Sequence, residues 1–228
     1  MDNLLNLIFP PLCIFCRKRS GTLFCDECLA KCELLDKGFC IVCGRESKGG
    51  ITHKACFSKN IPTSLVCSYE YGGVVRECIR KAKYNSKQFA ALRILAKKGV
   101  KVLSELGGKY YDNDLIVVPI PLSRKKMRSR GFNQARCIAQ IVAQYWHFML
   151  DDSILIRKKE TAVQFSSNRK RRFENVKDAF AATADLSGKT VLLVDDICTS
   201  GATFLEASKA LYNAQADEVK CFALSRKL

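Results

Sequence analysis

Residues Thr190 to Thr203 read TVLLVDDICTSGAT, and the fold turns on this stretch. Val191 to Val194 are four apolar residues in succession, a run short enough for a strand buried in a parallel sheet. Asp195 and Asp196 follow, then Ile197, Cys198, Thr199, Ser200, Gly201, Ala202 and Thr203. Small hydroxylated residues between a strand and a helix make a cradle for phosphate. Thr199, Ser200 and Thr203 offer hydroxyls, Gly201 admits close approach of the backbone, and the free N–H groups of the next helix point at the anion. The neighbouring carboxylates suit ribose hydroxyls, which donate well to ionised acceptors.

Working outward, the flanking sequence supplies an α/β body. Ser64 to Tyr71 reads as a strand that Gly72 and Gly73 break. Val74 to Lys83 carries Val74, Val75, Cys78, Ile79 and Ala82 at helical spacing. Gln88 to Leu106 reads as a second helix, with Phe89, Leu92, Leu95, Ala96, Val100 and Leu103 on one face. Leu115 to Ile120 is a buried strand, and Phe132 to Tyr145 a helix. Ser153 to Arg157 is a short strand, Val176 to Ala181 an edge strand, Thr203 to Tyr212 a helix and Glu218 to Leu224 a last buried strand. This alternation predicts a parallel sheet with helices on both faces, whose ligands sit beyond the carboxyl ends of the strands.

Two basic segments flank the acid pair. Pro121 to Arg136 holds six basic residues and no acid, and reads as a loop suited to pyrophosphate. Lys158 to Asn175 lacks periodicity and includes Gln164, Arg169, Lys170, Arg171 and Arg172. A loop of that length in a compact domain suits a lid over a bound polyphosphate.

The first 62 residues differ in kind. Cys13, Cys16, Cys25 and Cys28 form one quartet, and Cys40, Cys43, His53 and Cys56 a second. Cysteines two residues apart share one tight knuckle, and two knuckles complete a tetrahedral zinc site. The spacing therefore predicts two structural zincs, bound either in sequential quartets or interleaved, with Cys32 as a competitor for one place. Closed four-ligand sites leave no room for catalytic water. Phe15, Phe24, Phe39 and Phe57 lie near the knuckles, where they cover the ribbons or, if exposed, stack on bases. Asn60 to Ser64, with Pro62, reads as a linker between a module at 1–62 and a domain at 63–228.

The chain has 228 residues and a formal net charge of +16. A charge that large favours polyanionic partners, nucleic acid first. The apolar run Leu4 to Phe9 is short and follows Asp2, so no secretory signal is expected. No stretch approaches the ~18 apolar residues of a spanning helix, so no membrane insertion is expected. A cytoplasmic chain keeps its thiols reduced, and metal is then the reading for the paired cysteines.

The 190–203 stretch resembles the 5-phosphoribosyl-1-pyrophosphate (PRPP) motif of type I phosphoribosyltransferases. The whole chain resembles ComF-type competence proteins, which join a zinc-ribbon module to a phosphoribosyltransferase domain. That resemblance runs through the FPP-x-C-x2-C opening, the cysteine pairs, the Lys81 to Tyr84 turn, PIPLSRKKMRSRGFNQA, the Gln164 to Phe180 segment and VLLVDDICTSGAT. It implies that Asp195 and Asp196 hold the ribose hydroxyls of PRPP, and that Thr199 to Thr203 cradle its 5-phosphate. It implies Arg124 and Lys125 as anion contacts on the pyrophosphate side, a flexible loop at Lys158 to Arg172, and Mg²⁺ bridging pyrophosphate oxygens. Its competence role, with the basic charge, makes Arg128, Arg130, Arg169, Lys170, Arg171 and Arg172 candidates for contact with single-stranded DNA. His53 departs from the usual cysteine, and no hood subdomain for selecting a nucleobase is legible. Three functions follow as expectations. One is DNA handling in natural transformation with a PRPP site. The others are an active phosphoribosyltransferase of the salvage type and a zinc-module adaptor for a DNA-uptake helicase.

Overall fold

The computed structural model describes residues 12–83, 86–105, 115–160 and 169–228. The FPP opening, Tyr84 and the Gln164 part of the loop reading lie outside the described residues. In chain order, α1 (Asp26–Ala30) lies in the cysteine-rich segment, followed by β1 (Ser64–Glu70), α2 (Gly73–Ala82), α3 (Ser86–Glu105) and β2 (Leu115–Pro119). Next come α4 (Arg124–Arg130), α5 (Gln134–Trp146), β3 (Met149–Leu150) and β4 (Leu155–Arg157). Then follow α6 (Arg169–Val176), β5 (Phe180–Ala182), β6 (Thr190–Cys198), α7 (Ala202–Asn213) and β7 (Glu218–Arg226).

Five strands make one parallel sheet in the order β1-β7-β6-β2-β3. On β6, Leu192 and Val194 enter the layer formed with α2, α3 and α5, while Val191 and Leu193 enter the opposite layer under α7. A strand covered on both faces needs apolar side chains of either parity, which is why its sequence is a continuous apolar run. Each such side chain taken out of water contributes about 1.5–3 kcal/mol. The expected parallel sheet with helices on both faces is therefore present.

The structure departs from the sequence reading in four places. First, β6 does not stop at Val194: its ladder with β7 continues through Asp195 opposite Ala223 to Cys198 opposite Arg226, so the acids lie within the strand. Second, part of the basic loop after β2 is helix α4. Ser123 caps it by accepting from the Lys126 N–H at 3.4 Å, and Gly131, at φ 75°, closes it with an N–H bond to Met127 O. With Met127 as its one large apolar residue, α4 shows no periodicity to read. Third, β4 and β5 pair with each other antiparallel in a separate two-stranded sheet, not at the edge of the main one. Fourth, α6 orders the last part of the segment read as a lid.

The cysteine-rich segment is not a separate bead. Cys13, Ile14, Phe24, Cys28 and Cys32 share a core with Tyr69, Cys78 and Leu92, whereas Ile41 packs into the layer on the α7 side. Among the described residues no helix is long and apolar enough to cross a membrane.

Candidate functional site

Asp195 and Asp196 sit near the carboxyl end of β6, the middle strand of the sheet. Asp195 Oδ1 accepts from the Asp196 N–H at 2.8 Å, and Asp196 Oδ2 lies 3.1 Å from Lys83 Nζ at the end of α2. Burial, and next the adjacent Asp196, push the Asp195 carboxyl up to about 8. Burial works against the charge of Lys83, yet Asp196 and, less strongly, Asp195 raise its pKa. Lys126 and Arg157 also interact with Asp195. Burial first, then repulsion from Arg157, Arg130 and Lys83, holds Lys126 below the ordinary lysine range, while Asp195 attracts it. Arg157 is lowered by burial and drawn by Asp195, with its guanidinium over the Phe180 ring at 5.3 Å. Arg130 also gives a hydrogen bond to Gln134 Oε1, and the buried Nε2 of Gln134 has no partner.

Three cations from three elements or their ends, Lys83, Lys126 and Arg157, thus act on the carboxylates, with Arg130 close to Lys83 and Lys126. Lys83, Lys126 and Arg157 were not among the residues singled out from the sequence. The signal for Lys83 lay in the Lys81 to Tyr84 turn, and Lys126 lay inside the six-cation segment; Arg157 carried none. Arg124, Lys125 and Arg128 line an adjoining groove with Ser129 and Glu160, where Glu160 Oε1 accepts from the Lys125 N–H at 3.1 Å. Of the segment at the start of α6, Lys170 and Arg171 are exposed, and Arg172 lines a cavity that also holds Thr199 and Ser200.

The small-residue turn runs directly off the acid strand. Ser200 Oγ accepts from the Ala202 N–H at 3.4 Å, Gly201 adopts φ 77°, and α7 begins at Ala202, with Thr203 in its first turn. A Cβ at Gly201 would stand 2.8 Å from Ile41 O in the second cysteine knuckle. Glycine is required there twice over, by its left-handed conformation and by that contact.

The ligand atoms of Cys13, Cys16, Cys25 and Cys28 all lie within 4.8 Å of one another, as do those of Cys40, Cys43, His53 and Cys56. The quartets are therefore sequential, not interleaved. Zn–S bonds near 2.3 Å in a tetrahedron place sulfurs roughly 3.8 Å apart, and the Cys16 to Cys25 separation is 3.6 Å. Burial opposes ionisation of Cys13, but backbone N–H groups of the quartet's two knuckles, Cys25's first, bring its thiol down to about 6. His53 Nδ1 lies 3.4 Å from Cys43 Sγ while Nε2 pairs with Glu46 O at 3.1 Å, which leaves Nδ1 for the metal. Cys32 stands aside, with its Sγ on Cys28 O and its thiol pushed by burial up to about 11. Of the four knuckle phenylalanines, Phe24 is buried against Phe15, Phe39 lies under Arg226 and Phe57 is exposed.

Residues 131–228 match the phosphoribosyl transferase domain family, and residues 4–57 the double zinc ribbon domain family. Competence protein ComFC of Streptococcus pneumoniae is 30% identical over 92% of this chain and 83% of its own length. The chain belongs to the ComF family. DNA utilization protein YhgH of Escherichia coli is a second relative of this ComF-family chain, 26% identical over 97% of it and 100% of the relative. Among solved structures, a purine phosphoribosyltransferase from Pyrococcus horikoshii is 15% identical over 58% of this chain and 82% of its own, with a TM-score of 0.33. The two cysteine clusters fit the double zinc ribbon that the family comparison assigns.

Proposed function

We propose that this chain serves competence or DNA utilisation by handling single-stranded DNA in the cytoplasm, and that its α/β domain binds PRPP with Mg²⁺. The observation that carries the PRPP reading is the Lys83–Asp196 pair at 3.1 Å, with Lys126 and Arg157 drawn by Asp195, beside the turn 199–203. The carboxylates accept the ribose hydroxyls, and the turn with the start of α7 holds the 5-phosphate. The cations face the pyrophosphate and balance the charge that grows on it as the C1–O bond lengthens. Mg²⁺ supplies neutralisation of pyrophosphate oxygens. Cys198 takes no part as a nucleophile, because burial pushes its thiol up to about 11.

The DNA reading draws on the relatives' printed roles in competence and DNA utilization and on the net charge of +16. Arg128, Lys170 and Arg171 are the candidates for phosphate contact, with Arg169 and Arg172 beside them. The proposed boundary at residues 62 and 63 falls where bonding passes from the ribbon to the sheet, with Thr52 N–H also donating across it to Thr63 O. Thr52 Oγ1 donates to Pro62 O at 2.6 Å within the ribbon segment, and Thr63 N–H bonds Val219 O in the sheet.

PRPP with Mg²⁺ should raise the melting temperature, because a ligand that binds only the folded state stabilises it by mass action. Asp195→Asn with Asp196→Asn should abolish the rise. A wild-type chain that shows no rise at millimolar PRPP would remove the ligand from the proposal.

A further inference from the structure

A cavity of about 260 Å³ lies between the second cysteine knuckle, the 199–200 turn and the end of β7, lined by Ile41, Gly44, Thr199, Ser200, Arg226 and Lys227, among others. Three of its lining residues are basic, Arg172 being the third, and none is an aspartate or glutamate. Arg226 is 6% exposed, and its Nε has no hydrogen-bond partner. Its guanidinium lies 4.8 Å from the centre of the Phe39 ring, and Nη1 points at Cys198 Sγ at 3.7 Å. That thiol stays protonated well above neutral pH, so it brings no negative charge. Among the described residues no carboxylate pairs with Arg226. A buried guanidinium without an acid is costly unless something else meets it.

Its position says what that something is. Arg226 pairs in register with Cys198, the last residue of β6 before Thr199 and Ser200. The cavity therefore opens beside the phosphate turn, and the knuckle that presses on Gly201 through Ile41 forms its roof. No hood was legible in the sequence, and the second ribbon occupies a covering position over this turn.

We infer that this cavity is a subsite for an oxyanion, a carboxylate or phosphate carried by the second reactant, with Arg226 as its anchor and Lys227 as its partner, beside the turn kept for the 5-phosphate. The inference rests on the PRPP reading for the word reactant: the molecule that meets the ribose is then an anionic one. Guanidinium forks bind both oxyanions in two-point contacts, so the geometry names the charge and leaves its carrier to the test.

Calorimetry on the zinc-loaded full chain, with and without PRPP and Mg²⁺, would use two matched pairs of probes. Benzoate against benzamide reads a carboxylate, and thymidine 5′-phosphate against thymidine reads a phosphate. At least one anion should bind where its uncharged counterpart does not. Arg226→Gln should weaken that binding about tenfold or more, the loss of one charge-assisted hydrogen bond. Lys227→Glu, at an exposed position on the rim, should weaken it in the same direction and decides the matter if Arg226→Gln fails to fold. Zinc content and the PRPP melting rise should be unchanged in both variants. The inference is overturned if neither anion binds, if charged and uncharged probes bind alike, or if the folded variants bind as the wild type does. Zinc falling in Arg226→Gln would instead make Arg226 a counter-ion of the cysteine cluster. Loss of the PRPP rise in that variant would make it part of the sugar site; both results overturn the subsite. Failure of PRPP itself to bind sinks the sugar reading alone, since the anion arms without PRPP still report on the cavity.

Discussion

Lys83 Nζ lies 3.1 Å from Asp196 Oδ2, joining the end of α2 to the carboxyl end of β6 across the sheet. Both side chains are largely covered, at 20% and 13% exposure, so the pair is screened less than a surface bridge. In the free protein it holds one acid of the pair in place and keeps a cation beside the other.

Removing the ammonium leaves Asp196 partly buried without its partner. Lys83→Met should cost about 1–3 kcal/mol, between the values for exposed and buried pairs. At this chain length that is a fall of several degrees in melting temperature. Adding Asp196→Asn should recover part of the loss, and the coupling is read from a double-mutant cycle in urea. Strictly additive losses would mean that the two groups do not interact.

Asp195 titrates far above its ordinary value of 3.8, at about 8, chiefly through burial and then Asp196. Between those two values the folded state holds a proton that the unfolded state has lost. The stability due to this group is fully present below pH 3.8 and is lost as pH rises through about 8. The melting temperature of the ligand-free chain should therefore fall from pH 5 to pH 8, and Asp195→Asn should flatten the fall. Ribose hydroxyls favour the ionised acid, so PRPP binding at pH 7 should release a proton. Calorimetry in buffers of different ionisation enthalpy measures it, and proton uptake would contradict the assignment.

Each cysteine quartet brings its ligand atoms together without help from the other. Elemental analysis should find about two zincs per chain, falling to about one in the Cys40→Ser, Cys43→Ser variant. The first quartet shares its core with α2 and α3, so its loss through Cys13→Ser with Cys16→Ser should lower the melting temperature as well. Two zincs retained after the Cys40 and Cys43 substitutions would overturn the second site.

Affinity for single-stranded DNA should fall steeply with salt, by a slope of about 0.7 per phosphate neutralised. Reversing Arg169, Lys170, Arg171 and Arg172 to glutamate should weaken binding and flatten that slope by up to about 3. Fluorescence anisotropy on an unstructured oligonucleotide at several salt concentrations provides the measurement. An unaltered slope would exclude this segment from the contact surface.

Sequence by itself determined the parts that depend on near neighbours. A run of apolar residues on β6 marks a strand buried on both faces, and cysteines two residues apart mark a knuckle; both are set within a few residues. The acid pair and the small turn after it were legible for the same reason. The tertiary structure alone decided which charges meet. Lys83, Lys126 and Arg157 are separated along the chain by whole elements, and only the fold brings α2, α4 and β4 together near Asp195 at the carboxyl end of β6. It also decided that the second knuckle closes on Gly201 and that Arg226 is buried beside it, contacts between distant residues that no local pattern encodes. Local spacing fixes what a residue can do, whereas the filling of space between elements fixes what it meets.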